Sequence, residues 1–182
     1  MATTATTMSG AQFDALPYEE GRKWELLRGD LVDVPSPTAW HQELVFRIHL
    51  ALRQHMGKSG LAFSDVEFAL TDQDRLRPDI CVLLADRAKH LKLDLTPIPG
   101  APDIAVEVIS PGERSGETHE KVRSYLRNGA SEVWQVFPKS RTIQIHKGGT
   151  ARLLQPGENL TTDLLPGFAL PLANLFDDQD MI

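Results

Sequence analysis

Two stretches of the chain are apolar at almost every position, and a single carboxylate interrupts each of them. In residues 104–109 the apolar residues are mostly β-branched, and the interruption is Glu107. This composition predicts a strand that is buried on both faces of a sheet. An ionised glutamate in such a strand costs several kcal/mol unless it is paired, bound to a metal or protonated. The pattern therefore predicts a compensating partner for Glu107.

The second stretch covers residues 77–84, where Asp79 stands at the start of another apolar run. If the two strands are neighbours, their carboxylates lie side by side. Two such carboxylates repel each other, so one must keep a proton unless a hard divalent cation such as Mg²⁺ binds both.

Helical periodicity is present in residues 36–56, with Ser36 as a plausible N-cap and Pro37 at the first helical position. The buried stripe of this helix includes His41, which therefore points inward near the helix start. His41 either assists a site at the strand ends or is a core histidine with a satisfied hydrogen bond. A second helix is predicted for residues 117–128, with Gly129 behind it, and its flanking strands complete an α/β unit.

The remaining patterns predict shorter elements. Ser9 and Gln12 suit a capping box that opens a short helix. Glu67 lies in the predicted strand 61–70 and could join the site, although one such glutamate is usually just solvated. The other predicted elements are a hairpin of residues 24–28 and 31–34 around a Gly29-Asp30 turn, a partly helical surface segment 85–100, a hairpin 132–147 and an apolar tail 164–172.

Size and composition favour one domain. The chain has 182 residues, of which 41% are hydrophobic, and no linker or repeat divides it. We expect a single domain over residues 9–176, a disordered tail over residues 1–8 and a short tail over residues 177–182.

Charge and cysteine content limit the cellular location and the binding partners that we expect for this protein. The net charge is −6, so nucleic-acid binding would have to be local, because no general basic surface is available. The single cysteine, Cys81, lies in an apolar run and suits a buried thiol in a reducing cytoplasm. Residues 1–8 contain no basic region and no long apolar core, and no later run approaches the roughly 20 apolar residues of a membrane span. We therefore expect a cytoplasmic protein without a membrane partner.

Motifs for several chemistries are missing from the sequence. It contains no dinucleotide-binding, phosphate-loop, nucleophile-elbow or zinc-protease signature, which lowers the expectation of those activities. The six histidines are scattered, so a histidine metal cluster is not expected.

A succession of short pieces carries a family resemblance. They are Trp-Glu-Leu-Leu-Arg-Gly-Asp-Leu, Ser-Pro-Thr-Ala-Trp-His, Arg-Pro-Asp-Ile, Val-Glu-Val-Ile-Ser-Pro, Gly-Ala-Ser-Glu-Val-Trp and Leu-Pro-Gly-Phe. Together they resemble the bacterial restriction-endonuclease family of the Uma type, a branch of the PD-(D/E)XK nuclease superfamily, over about residues 11–176. The resemblance implies an α/β (α+β) restriction-endonuclease-like core, in which helices flank a mixed sheet, with added hairpins near both ends of the chain.

The resemblance also implies a site. Asp79 and Glu107 would bind Mg²⁺ or Mn²⁺, together with the carbonyl of Val108, and the substrate would be DNA. The superfamily lysine would stand at Ile109 in this chain, and Lys121 on the following helix is where the family supplies it. Replacing Lys121 by alanine is then expected to leave folding and metal binding nearly intact and to lower cleavage about 10²-fold or more.

Two functions remain open from the sequence. One is a metal-dependent endonuclease, and the other is a nucleic-acid-binding or regulatory protein that kept the fold without efficient cleavage. The three groups at Asp79, Glu107 and Lys121 favour the enzyme, whereas the weak basic character favours the binder. A surface ion pair of Lys121 with Glu117 is the plain alternative for the lysine, and a homodimer is left open.

Overall fold

A computed structural model describes residues 7–178 of the chain. Most of the predicted N-terminal tail and the last four residues of the predicted C-terminal tail lie outside the described residues. Within residues 7–178, no helix is long and apolar enough to cross a membrane.

A six-stranded mixed sheet forms the centre of the fold. Its order is β11-β10-β9-β8-β6-β3. The strands are β3 (Gly60–Ser64), β6 (Ile80–Leu84), β8 (Ile104–Val108), β9 (Glu132–Phe137), β10 (Thr142–Lys147) and β11 (Thr150–Leu154). β8 and β9 are parallel, while the other neighbouring pairs are antiparallel. Every residue of β8 is buried, as its apolar composition predicts.

Two helices cover opposite faces of this sheet. Alternate residues of β8, such as Ile104 and Val106, pack in the same cluster as the apolar stripe of α2 (Ala39–Met56). Ala105, between them, packs in the cluster that contains Val122 and Tyr125 of α4 (Ser115–Arg127). Because side chains alternate along a strand, Glu107 lies on the α4 face. α4 is also the crossover that a parallel pair requires.

A second sheet has the strand order β2-β1-β5-β4-β7. Its strands are β1 (Trp24–Leu27), β2 (Asp30–Asp33), β4 (Phe68–Thr71), β5 (Asp74–Leu76) and β7 (Ile98–Pro99). Leu27, Phe68 and Leu76 of this sheet share a buried cluster with Val122 and Tyr125. The packing brings the N-terminal hairpin against α4.

The remaining elements are short. Ser9 and Gln12 make both hydrogen bonds of the predicted capping box at the start of α1 (Gly10–Asp14). Segment 85–100, which was predicted to be partly helical, contains α3 (Ala85–His90) and the short strand β7. The last elements of the chain are β12 (Asn159–Thr161), β13 (Ala169–Pro171) and α5 (Leu172–Leu175).

Three predicted boundaries were wrong. The predicted strand 61–70 is two strands, β3 and β4, in different sheets, because the chain turns at Asp65 with a φ of 60°. The hairpin turn consists of Arg28 and Gly29, both with positive φ, instead of Gly29 and Asp30. The cap of α2 is Thr38, whose hydroxyl accepts a hydrogen bond from the amide of His41, so the prediction of Ser36 was wrong.

Candidate active site

The two carboxylates predicted from the apolar runs lie at the ends of neighbouring strands. Ile80 of β6 pairs with Val106 of β8 in an antiparallel ladder, so Asp79 lies opposite Glu107. The Asp79 carboxylate also accepts a hydrogen bond of 2.7 Å from the amide of Val108. Both acids line one cavity of about 310 Å³. The structure therefore brings Asp79, Glu107 and the backbone of Val108 together.

His41 contacts the first of these acids. Its Nε2 lies 3.2 Å from Oδ1 of Asp79, and its Nδ1 lies 3.0 Å from the hydroxyl of Ser110. The imidazole is buried, and it comes from α2, on the opposite side of the sheet from α4. With the Val108 amide on Oδ2, both oxygens of Asp79 are fixed by hydrogen bonds.

Glu107 is held by the helix behind the sheet. The hydroxyl of Tyr125 donates a hydrogen bond of 2.9 Å to its Oε1. Burial raises the pKa of Glu107 to about 8, and the negative charges of Asp79 and Glu25 add to the increase, although Lys121 and the Tyr125 hydrogen bond act against it. Because burial is the largest cause, an ionised Glu107 needs a compensating positive charge in the cavity.

Lys121 points into this cavity. Its side chain is 12% exposed, and its ammonium lies 2.6 Å from Oε2 of Glu25 and 3.8 Å from Oε2 of Glu107. Burial alone would lower the pKa of Lys121, but the charges of Glu107 and Glu25 outweigh burial and raise it above its ordinary value. Glu117, the alternative partner considered from the sequence, pairs with Arg114.

Glu25 is a cavity residue that the sequence reasoning missed. It lies on β1, its side chain is 2% exposed, and its Oε1 accepts a hydrogen bond of 2.7 Å from the amide of Arg77. The signal was available, because Glu25 interrupts the apolar run Trp-Glu-Leu-Leu as Glu107 interrupts its own strand. Ser110, Tyr125 and Glu113 were likewise not singled out. Glu113 lines the cavity and accepts a hydrogen bond from the amide of Ser110.

Glu67 lies apart from the cavity lining. Its carboxylate forms an ion pair of 2.7 Å with Arg77, and only Arg77 of this pair lines the cavity that contains Asp79. Glu67 therefore pairs with a residue of the cavity without lining the cavity itself. A second cavity, of about 450 Å³, adjoins the first and shares Glu25, Glu113 and Lys121 with it.

The described part of the chain contains no preformed cage of side chains for a metal. Among residues 7–178, no three histidine, cysteine, aspartate or glutamate side chains are grouped so that they could hold a metal ion. The donors at the ends of β6 and β8 are the carboxylates of Asp79 and Glu107 and the nearby backbone. Mg²⁺ is commonly bound by one or two carboxylates, with water and substrate phosphate completing its octahedron.

Comparison with known proteins gave a family and a fold. The Uma2 family, described as "putative restriction endonuclease", matches residues 11–173. A search of curated proteins found no match. Among solved structures, the chain is similar to a protein from Anabaena variabilis ATCC 29413, described as a "putative nuclease belonging to DUF820". The TM-score is 0.83 and the identity 19%, and the match covers 93% of this chain and 97% of the other.

Proposed function

This chain belongs to the Uma2 restriction-endonuclease family, and we propose that it is a metal-dependent endonuclease that hydrolyses phosphodiester bonds of DNA. The family description implies a nuclease acting on nucleic acid. The specific site, the metal and the preference for DNA are our proposals. They are supported by the residues at the ends of β6 and β8.

One observation carries the proposal. Asp79 and Glu107 lie opposite each other in one cavity, and the ammonium of Lys121 is 3.8 Å from Glu107. Two carboxylates and a lysine form the residue set that the resemblance to PD-(D/E)XK nucleases implies. In this chain the lysine comes from α4, because position 109 is occupied by isoleucine.

The donor set fits a hard divalent cation. Asp79 and Glu107 would hold Mg²⁺ or Mn²⁺, with the carbonyl of Val108 as a further oxygen donor. The raised pKa of Glu107 reflects burial and neighbouring negative charge, and a cation at this point would relieve that charge. When bound, such a cation supplies Lewis-acid polarisation of phosphate and acidification of water.

The protein residues have separate roles in this proposal. The Asp79 carboxylate is oriented by His41 and by the amide of Val108. The Glu107 carboxylate is oriented by the hydroxyl of Tyr125. Lys121 stabilises negative charge that develops on the phosphate oxygens during attack by water.

A binding protein without efficient cleavage is the second candidate. The observation that favours it is the contact of 2.6 Å between Lys121 and Glu25, which pairs the ammonium with a carboxylate other than Asp79 and Glu107. The same contact is compatible with an enzyme in which Glu25 sets the position of the lysine. A cleavage assay separates the two candidates.

The experiment is nicking of supercoiled plasmid with Mg²⁺, with Mn²⁺ or with a chelator. Asp79→Asn and Glu107→Gln, purified in the same way, control for contaminating nucleases. Metal-dependent nicking that both substitutions abolish supports the proposal. Nicking that persists in both variants contradicts the assigned site. Retarded migration of DNA without any nicking favours the binding protein, and single-stranded DNA and RNA of the same sequence test the substrate preference.

A further inference from the structure

Glu25 is buried in a strand that needs no carboxylate for its packing. Its neighbours Leu26 and Leu27 are buried apolar residues, and the Glu25 side chain itself is 2% exposed. One carboxylate oxygen accepts the Arg77 amide at 2.7 Å, and the other lies 2.6 Å from Nζ of Lys121. Oε1 thus has a hydrogen-bond partner, whereas Oε2 has only the ionic contact with Lys121 and no hydrogen bond. The two partners come from different parts of the fold.

Folding alone does not account for the charge at this position. The amide of Arg77 needs an acceptor, and the neutral carbonyl of a glutamine would serve equally. A buried ion pair adds little net stability compared with well-packed apolar residues, because both ions lose their hydration. The negative charge of Glu25 therefore calls for a reason related to Lys121.

The geometry around Lys121 supplies that reason. Its ammonium is in contact with Glu25, while the distance to Oε2 of Glu107 is 3.8 Å. Without the charge on Glu25, the carboxylates that act on the ammonium are Glu107, at 3.8 Å, and the more distant charge of Glu113. Coulomb attraction in a buried cavity would then draw the ammonium closer to Glu107. An ammonium in contact with Glu107 would compete with a cation for the same carboxylate.

We propose that Glu25 is the positioning residue for Lys121, holding the ammonium beside Glu107 while leaving the Glu107 carboxylate free for a divalent cation. This inference rests on the proposed function, since it concerns the same site. It assigns to the N-terminal hairpin a direct part in arranging the lysine of α4.

The test compares Glu25→Gln in two backgrounds. Glutamine keeps the acceptor for Arg77 and removes the charge that holds Lys121. When residue 121 is lysine, we expect Glu25→Gln to weaken Mn²⁺ binding about 10-fold or more. When Lys121 is replaced by methionine, we expect the same substitution to weaken binding less than about 3-fold, because the effects of coupled residues are not additive. Titration calorimetry measures both values. An equal loss in the two backgrounds would overturn the inference, since a merely structural role of Glu25 acts independently of Lys121.

Glu132 offers a matched control. Its side chain is also 2% exposed and also pairs with a lysine, Lys147, at 3.1 Å, but it lies outside the cavity of Asp79. Glu132→Gln should leave Mn²⁺ binding unchanged. If Glu25→Gln does not fold, Glu25→Asp replaces it, because the shorter side chain also withdraws the carboxylate from Lys121.

A crystal structure of the metal-free Glu25→Gln variant, grown above pH 8 so that Glu107 is ionised, tests the inference without metal binding or activity. Movement of the Lys121 ammonium into contact with Glu107 supports the inference, and an unchanged lysine position overturns it. If the wild-type protein binds no Mn²⁺, the proposed function fails while this structure still decides the role of Glu25. If the wild type binds Mn²⁺ and the lysine does not move, the inference alone fails.

Discussion

His41 and Asp79 are joined by a hydrogen bond of 3.2 Å that connects α2 to the start of β6. The other ring nitrogen of His41 contacts the hydroxyl of Ser110, just beyond β8. The imidazole thus links three elements at the point where the two acids meet. Its helical phase had placed it inward, and the structure gives it a polar partner on each ring nitrogen.

Replacing His41 by alanine should lower Mg²⁺-dependent cleavage about 10-fold or more, because Asp79 loses one of the groups that fix its carboxylate. Plasmid nicking rates measure the effect, and circular dichroism checks the fold. His55→Ala is the control, since His55 lies on the same helix and bonds the carbonyl of Pro166, and neither residue lines the cavity of the acids. Equal losses in the two variants would remove His41 from the site.

Asp79→Asn should remove the negative charge of residue 79 and keep its hydrogen bond with the Val108 amide. The amide oxygen of asparagine can still accept the Val108 amide, so we expect the melting temperature to change little. Cleavage should fall about 10²-fold or more, because the charge that would hold the cation is lost. Differential scanning calorimetry and nicking assays measure the two effects. A variant that cleaves normally would show that Asp79 is not a ligand.

Lys121→Ala should cost stability as well as activity. The sequence alone led us to expect nearly intact folding, but the buried contact with Glu25 changes that expectation. Removing the lysine leaves a buried carboxylate without its cation, which costs about 3 kcal/mol of unfolding free energy. Combining Lys121→Met with Glu25→Gln removes both charges and should recover much of this loss. Urea unfolding measures all variants, and a double variant no more stable than Lys121→Met would contradict the pairing.

The metal-free protein should lose stability relative to Glu107→Gln as pH rises from about 4.5 towards 8. Burial raises the pKa of Glu107 from 4.5 to about 8 in the folded state. Between these values the folded protein holds a proton that the unfolded chain has released, so the stabilising contribution is fully present below the unfolded pKa and is lost as pH passes through the folded pKa. The slope for one such proton is at most about 1.4 kcal/mol per pH unit.

Urea unfolding with a chelator at several pH values checks this expectation. The Glu107→Gln variant cannot titrate at this position, so the difference between the two proteins isolates the contribution of Glu107. A difference that stays constant between pH 5 and pH 8 would mean that Glu107 is ionised throughout this range. Restoring Mg²⁺ should reduce the pH dependence, because the cation favours the ionised carboxylate.

Local sequence patterns were sufficient to predict several parts of the molecule. The buried strands with Asp79 and Glu107 follow from continuous apolar runs, and the capping box of α1 follows from the spacing of Ser9 and Gln12. The mixed sheet and its helices agree with the family resemblance. In each case the signal lies within a few residues of the element that it predicts.

Tertiary structure decided which buried faces meet. Periodicity indicates that a side chain is buried, but it does not identify the residues that the side chain contacts, because packing joins residues that are far apart in the sequence. Residues 61–70 gave one strand pattern and yet belong to two sheets. The nearest partner of Lys121 is Glu25 from the first hairpin, whereas the sequence suggested Glu107 and, as the plain alternative, the nearby Glu117. The sequence determined that Glu107 needs a compensating group, and only the docking of the hairpin against α4 decided how the charges around it are shared.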